Sequence, residues 1–256
     1  MAGEAGTAID TTARHGRVFP AFALVGWRWI ARNPISAIVP ILMPFFFLYF
    51  LRLISPPALF PLQVAGAMLF TTQNVGNWCL GDAANWRLEQ RLQDVFVASP
   101  LDKLRYLIGI AFSNFVPAAP ALVMEAVLLA YVMPVPPFAW IVIGVSVFVI
   151  WVTYSAIGLA ISSRLKSPRE IWPIGNLVFT TLGILSPLYF PIDILPDAWQ
   201  AAARFLPTTY AALFVQGALG LRTTTPLEMA GDAGLLFLSA AIGIAIALWL
   251  YRWREA

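Results

Sequence analysis

Apolar residues fill six long runs of this chain, and polar residues collect between them. The runs are Ser36–Leu51 with its flanks, Leu62–Leu80, Tyr106–Met133, Phe138–Ser162, Ile171–Leu188, and a last one from Gly231 or Asp232 to Leu250. A helix crosses ~30 Å of hydrocarbon with about 20 such residues, so the pattern predicts six transmembrane helices. Pro40 and Pro44 are expected to bend the first, and the third is a long helix carrying Pro117 and Pro120. Val18–Ile30 is too short to span. Its aromatic residues and the flanking Arg17, Arg28 and Arg32 predict an N-terminal helix lying in the interface, within 18–33. After the fifth run, Pro187, Pro191, Pro196 and Pro207 break the pattern. They leave a short amphipathic helix over Pro196–Phe205 and an apolar piece, Tyr210–Leu219, too short to cross. Both are expected to dip into or lie on the outer leaflet.

The most polar internal stretch is Gly81–Arg105, which holds eight of the 29 charged residues. Within it, Trp86–Ala98 reads as an amphipathic helix. Leu88, Leu92, Val95 and Phe96 recur at helical spacing, and Arg87, Glu89, Arg91 and Asp94 take the other faces. Ser99-Pro100 ends it, because the residue before a proline avoids the helical region. The helix is either presented to a partner in water or is an ordinary solvated loop helix. Orientation follows from the cations. With the N-terminus in the cytosol, thirteen of the 16 Lys and Arg fall on the inner side and three, Arg52, Arg204 and Arg222, on the outer. Both termini are then cytoplasmic. Residues 1–17 form a cytosolic tail, 18–256 a single transmembrane domain, and 84–104 a cytosolic region.

Composition agrees, with 60% hydrophobic and 11% charged residues and a mean hydropathy of +0.77. Soluble domains carry about 25% charged residues, so this is an all-α integral membrane protein. A net charge of +3 does not argue for nucleic acid. The lone Cys79 and lone His15 supply neither a disulfide nor a metal cluster nor a base beside a nucleophile. An intramembrane hydrolase or metalloenzyme is therefore disfavoured, and no metal or cofactor is expected in this chain. The only lysines, Lys103 and Lys166, lie outside any Gly-x-x-x-x-Gly-Lys context, so no P-loop binds ATP here.

Glu125 is the sharpest intramembrane residue. Eight positions before Met133 at about 1.5 Å each place it roughly 12 Å below the outer edge. Such a group lines a route, binds a cation, carries a proton, or is a protonated acid bonded to a neighbour such as Asn176 or Gln73. Gln73, Asn74 and Asn77 either line a route or bond between helices. Gly144, Gly158, Gly175 and Gly183 are expected to allow close helix packing, and most tryptophans to anchor at interfaces.

Three local patterns resemble the permease subunits of ABC-2 type ABC exporters. These are the interfacial segment Phe19–Arg32, the stretch Glu89–Gly109 running through Val97-Ala98-Ser99-Pro100-Leu101, and Ser186–Pro196 followed by Leu206-Pro207-Thr208-Thr209-Tyr210. The resemblance implies a coupling helix between helices two and three, with Glu89, Arg91, Asp94, Ser99 and Pro100 docking a separate ATPase subunit. It also implies an external re-entrant hairpin over 187–220, carrying Pro191, Pro196, Pro207 and Tyr210, before helix six. Many family members have Gly-Thr-Leu-Glu where this chain has Arg91-Leu92-Gln93-Asp94, which keeps only the acid. The implied function is ATP-driven export of a hydrophobic or amphipathic molecule (a drug, lipid or lipid-linked compound) across the plasma membrane. ATP and Mg would bind the partner ATPase, and a second or related permease copy would complete the route, with Gln73, Asn74, Asn77, Glu125 and Asn176 as candidate lining. The competing reading is a self-contained secondary transporter or channel with Glu125 as its coupling carboxylate. It leaves the cytosolic amphipathic helix unexplained.

Overall fold

The computed structural model describes residues 18–99 and 102–252. Among them are ten α-helices and no strand. The helices are α1 (Val18–Arg32), α2 (Pro34–Ile54), α3 (Phe60–Leu88), α4 (Leu92–Ala98), α5 (Lys103–Val132), α6 (Pro137–Ser162), α7 (Ile171–Leu185), α8 (Asp197–Ala203), α9 (Pro207–Ala218) and α10 (Pro226–Leu250). The polar tail with Arg14, His15 and Arg17, as well as Pro100 and Arg254, lies outside the described residues.

The axis of the bundle is α3. It carries Gln63, Thr71, Thr72, Gln73 and Asn77, all buried. Side chains of this kind need protein rather than lipid around them, and α2, α5, α6, α7 and α9 all pack on this one helix. Its closest neighbour is α6. A Cβ on Gly158 would collide with the Gly76 carbonyl, so the α3 and α6 backbones touch through these two glycines. A Cβ on Gly175 would meet the Asn77 amide and one on Gly183 the Phe70 ring, whereas Gly144 faces open space and packs nothing. On the far side, α10 packs against α6 and α9, and α1 lies along α5.

Three of the described helices, α5, α6 and α10, are long and apolar enough to cross a membrane, and Ile41–Ile54 in α2 forms a shorter apolar stretch. Length is not what α3 lacks; its buried polar residues lower its hydropathy. The fifth run does not stay helical to Leu188. It stops at Leu185, so α7 has 15 residues and extends about 22 Å. Ser186, before Pro187, turns extended at φ −82° and ψ 137°. The chain then passes against α3 with the Leu188 carbonyl where a Cβ on residue 66 would stand, which only Gly66 permits.

Two boundaries depart further from expectation. The last helix starts at Pro226 rather than Gly231, because Thr225-Pro226-Leu227-Glu228 is a capping box. Glu228 N–H donates to Thr225 Oγ1 at 3.2 Å, and Thr225 N–H donates to Glu228 Oε2 at 2.7 Å. The polar helix expected over Trp86–Ala98 is not one helix. Its first turn is the end of α3, and the Asn85 carbonyl accepts from the N–H groups of both Glu89 and Gln90. Arg91 then adopts left-handed φ 51° and ψ 23°, and a new helix of seven residues begins.

Candidate functional site

One end of the bundle is basic. There α3 and α6 finish, α5 begins, and Arg87, Lys103, Arg105, Arg164 and Arg252 gather. Across this end lies α4. The left-handed turn at Arg91 resets the helical phase, so the apolar side expected from a continuous helix is divided. Phe96 turns inward, whereas Leu92 is 36% and Val95 64% exposed. Glu89, Arg91 and Asp94 are exposed beside them, and Gln93 is buried beneath. The outward surface of α4 is thus two apolar side chains framed by charges of both signs. Ser99 closes the helix by donating its hydroxyl to the Phe96 carbonyl at 2.7 Å.

Phe96 joins α4 to three other helices. Its ring centroid lies 6.2 Å from Phe22 of α1, 6.0 Å from Trp86 of α3 and 5.2 Å from Tyr106 of α5. Aromatic spacing of this kind is attractive beyond burial alone. The sequence marked Phe96 as part of the apolar side of the helix expected over Trp86–Ala98, but not its ring partners Phe22, Trp86 and Tyr106. The signal was Trp86 and Phe96 bracketing a charged turn, with Tyr106 just beyond it. Arg87, expected on a solvated face, instead donates to the carbonyls of Ser162 (3.0 Å) and Leu165, tying the end of α3 to the end of α6. Asp102 caps α5 through the Arg105 N–H at 2.8 Å and pairs with the Arg105 guanidinium at 3.2 Å. Burial pushes the Tyr251 phenol up, with Arg87 opposing.

Several polar residues of the interior bond within the chain, while Gln63 Oε1, Gln73 Oε1, Asn77 Oδ1 and Glu125 Oε2 are buried without a hydrogen-bond partner among the described residues. Glu125 is fully buried and accepts from Thr71 Oγ1 at 2.8 Å, not from Gln73 or Asn176 as the sequence suggested. Gln73 Nε2 donates to the Phe179 carbonyl and Asn77 Nδ2 to Asn176 Oδ1, both at 3.0 Å, linking α3 to α7. Asn74 donates back to Phe70 of its own helix at 3.1 Å. Of the five candidate lining residues, Asn176 is exposed, on a face of α7 that also shows Thr180 and Thr181.

The segment after α7 folds back into the bundle. Thr208, at the start of α9, bonds the Tyr154 hydroxyl at 3.0 Å and the Ser186 hydroxyl. Tyr154 lies 17 positions into α6, about 25 Å along its axis, so α9 begins deep and runs back out. Gln216 Nε2 reaches the Pro187 carbonyl at 3.2 Å, and Thr209 Oγ1 the Ala203 carbonyl at 2.6 Å. Pro207 is buried as the first residue of α9, Pro191 and Tyr210 are half-buried, and Pro196 is exposed. A salt bridge unmarked in the sequence, Arg222 to Asp232 at 2.7 Å, holds the next loop to α10.

An all-helical bundle with three apolar spans and a polar axis fits a multi-pass integral membrane protein. The model of the ABC-2 type transporter family matches residues 22–219, and the chain belongs to that family. It is similar to the linearmycin resistance permease protein LnrN of Bacillus subtilis (strain 168), with 35% identity over 116 residues. That match covers 44% of this chain and 29% of the relative, so it spans under a third of the relative's length.

Proposed function

We propose that this chain is the membrane-spanning permease subunit of an ATP-driven exporter, with α4 as the element that receives a separate ATPase. The observation that carries this reading is the division of α4. Leu92 and Val95 face outward among Glu89, Arg91 and Asp94, while Phe96 is held by rings from three membrane helices. A docked helix transmits motion when its outer face fits a partner and its inner face is fixed to what must move. ATP and Mg belong to that partner.

In this reading α2, α3, α5, α6, α7 and α10 are the six spans, α1 lies in the interface, both termini are cytoplasmic and the membrane is the plasma membrane. The 15 residues of α7 are completed by the re-entrant segment through α9. Two permease copies enclose the route. Asn176, Thr180 and Thr181 support a route along the exposed face of α7, since polar side chains shown outward at membrane depth are costly against lipid. The apolar exterior and the resistance function named for the Bacillus relative support a hydrophobic or amphipathic cargo.

The test is co-purification of the tagged chain from its host membrane in mild detergent. A stoichiometric P-loop ATPase is expected with the native chain and is lost with Leu92→Asp/Val95→Asp. Recovery of that ATPase with the double variant moves the docking face elsewhere. Its absence from the native preparation removes the exporter reading.

A further inference from the structure

A groove with a cavity of about 110 Å³ runs between α5, α6 and α10 at the basic end. Leu104, Ile108, Trp151, Ala156, Leu248 and Tyr251 are among its walls. The walls are almost wholly apolar, and two of the polar groups at them are engaged. The Trp151 indole N–H donates to the Ala111 carbonyl at 3.1 Å, and the Cys79 thiol to Ser155 at 3.6 Å. The groove therefore offers hydrocarbon to whatever enters it. Leu104, Ile108 and Leu248 are exposed along its lips, which opens it sideways. From Leu104 to Ala111, or from Ile244 to Tyr251, it is about 10 Å long, against ~15 Å for one leaflet's hydrocarbon.

Each lining helix brings a cation to the same mouth. Lys103, the first residue of α5, holds its ammonium 5.2 Å above the Tyr251 ring. Arg164, two residues beyond α6, donates to the Leu250 carbonyl at 2.9 Å. Arg252, two residues beyond α10, has its backbone N–H on Ser163 Oγ at 3.2 Å and its side chain exposed. Of the described acids near this mouth, Asp102 is held by Arg105, and Glu170 accepts the Lys166 N–H at 3.1 Å.

We propose that this groove binds an anionic phospholipid, one acyl chain lying between α5, α6 and α10 and the phosphate held by Lys103, Arg164 and Arg252. An apolar slot opening to the bilayer, with three cations at headgroup level, matches an acyl chain below a negative headgroup. A neutral amphiphile would leave the cations unmatched. That the lipid comes from the cytoplasmic leaflet rests on the orientation proposed above; the binding itself does not.

The test is native mass spectrometry of the full chain in mild detergent, titrated with dioleoyl phosphatidylglycerol, dioleoyl phosphatidylcholine and glycerol phosphate. A cation near a membrane surface contributes about fivefold to attraction of an anionic lipid. Phosphatidylglycerol is therefore expected to bind at least tenfold more tightly than phosphatidylcholine. Lys103→Gln/Arg164→Gln/Arg252→Gln abolishes that preference, while Arg204→Gln, on a different segment, keeps it. Ala156→Leu, which narrows the groove, weakens both lipids at least threefold. Equal binding of the two lipids, a preference that survives the triple variant, or glycerol phosphate competing as well as whole lipid each overturns the proposal. None of these readouts involves ATP hydrolysis, so they stand or fall apart from the exporter reading.

Discussion

Phe96→Ala separates docking from transmission. The substitution removes three ring pairs, to Phe22, Trp86 and Tyr106, and leaves the outward residues of α4 in place. Pairs of this geometry contribute about 0.5–1.5 kcal/mol each, and truncating a fully buried Phe costs about 3–5 kcal/mol. Since Phe96 is only half-buried, the expected loss is about 2–4 kcal/mol, concentrated on the attachment of α4. That shifts the balance between attached and detached α4 by about 30- to 1000-fold. Hydrogen exchange of the amides in 92–98 should accelerate within that range, with little change in α6 or α10. The ATPase should still co-purify, but permease-dependent stimulation of its hydrolysis should fall at least tenfold. Phe96→Leu, which keeps volume and loses the ring, should lie between. Unchanged exchange in 92–98 would refute the energetic reasoning. Loss of the ATPase from Phe96→Ala, with retention in Val95→Asp, would invert the assignment of the two faces.

Glu125→Gln should be near neutral for stability, because an amide carbonyl still accepts from the Thr71 hydroxyl. Thr71→Val, which strips the buried carboxyl of its donor, should cost about 1–3 kcal/mol, both read from thermal unfolding in detergent. Loss of transport by a stable Glu125→Gln would instead support the coupling-carboxylate reading. Gly66→Val sets a side chain on the Leu188 backbone and should abolish monodisperse protein on size-exclusion chromatography. Thr225→Ala removes the cap of α10 and should cost about 1 kcal/mol of unfolding free energy.

The helical, membrane-embedded character was legible because it depends on composition and run length. The five-residue difference between Gly231 and Pro226 was written in Thr225-x-x-Glu228, a capping box that hydropathy alone passes over. What periodicity could not carry was the phase reset at Arg91. A single non-glycine residue in the left-handed region has no signature in the hydrophobic pattern, yet it turns Val95 outward and keeps Phe96 in. Glu125 was found by its cost in a membrane, but its partner Thr71 was not, since hydroxyl residues on a helix carry no direction along the sequence. The polar group Gln73, Asn74 and Asn77 was read as either lining or glue. The bonds to Phe179 and Asn176 make two of the three interhelical, and Asn74 bonds within its own helix.

Those bonds bear on where movement takes place. Trp86, near one end of α3, meets Phe96; Gly76, near its middle, meets the α6 backbone; Gly66, near the other end, meets the chain leaving α7. Gln73 and Asn77 fix α7 to the same helix, and the Tyr154–Thr208–Ser186 hydroxyls fix α9 to α6 and to that chain. A push on α4 therefore meets a unit of α3, α6, α7 and α9 in which small residues and buried hydrogen bonds leave little room for internal sliding. Under the exporter reading this unit moves as one body, and displacement must appear at its outer surfaces rather than between Gln73 or Asn77 and their α7 partners. The exposed face of α7, with Asn176 and Thr180, is the polar part of that surface. Cargo is then expected to move between permease copies along α7, and not through the interior of either one.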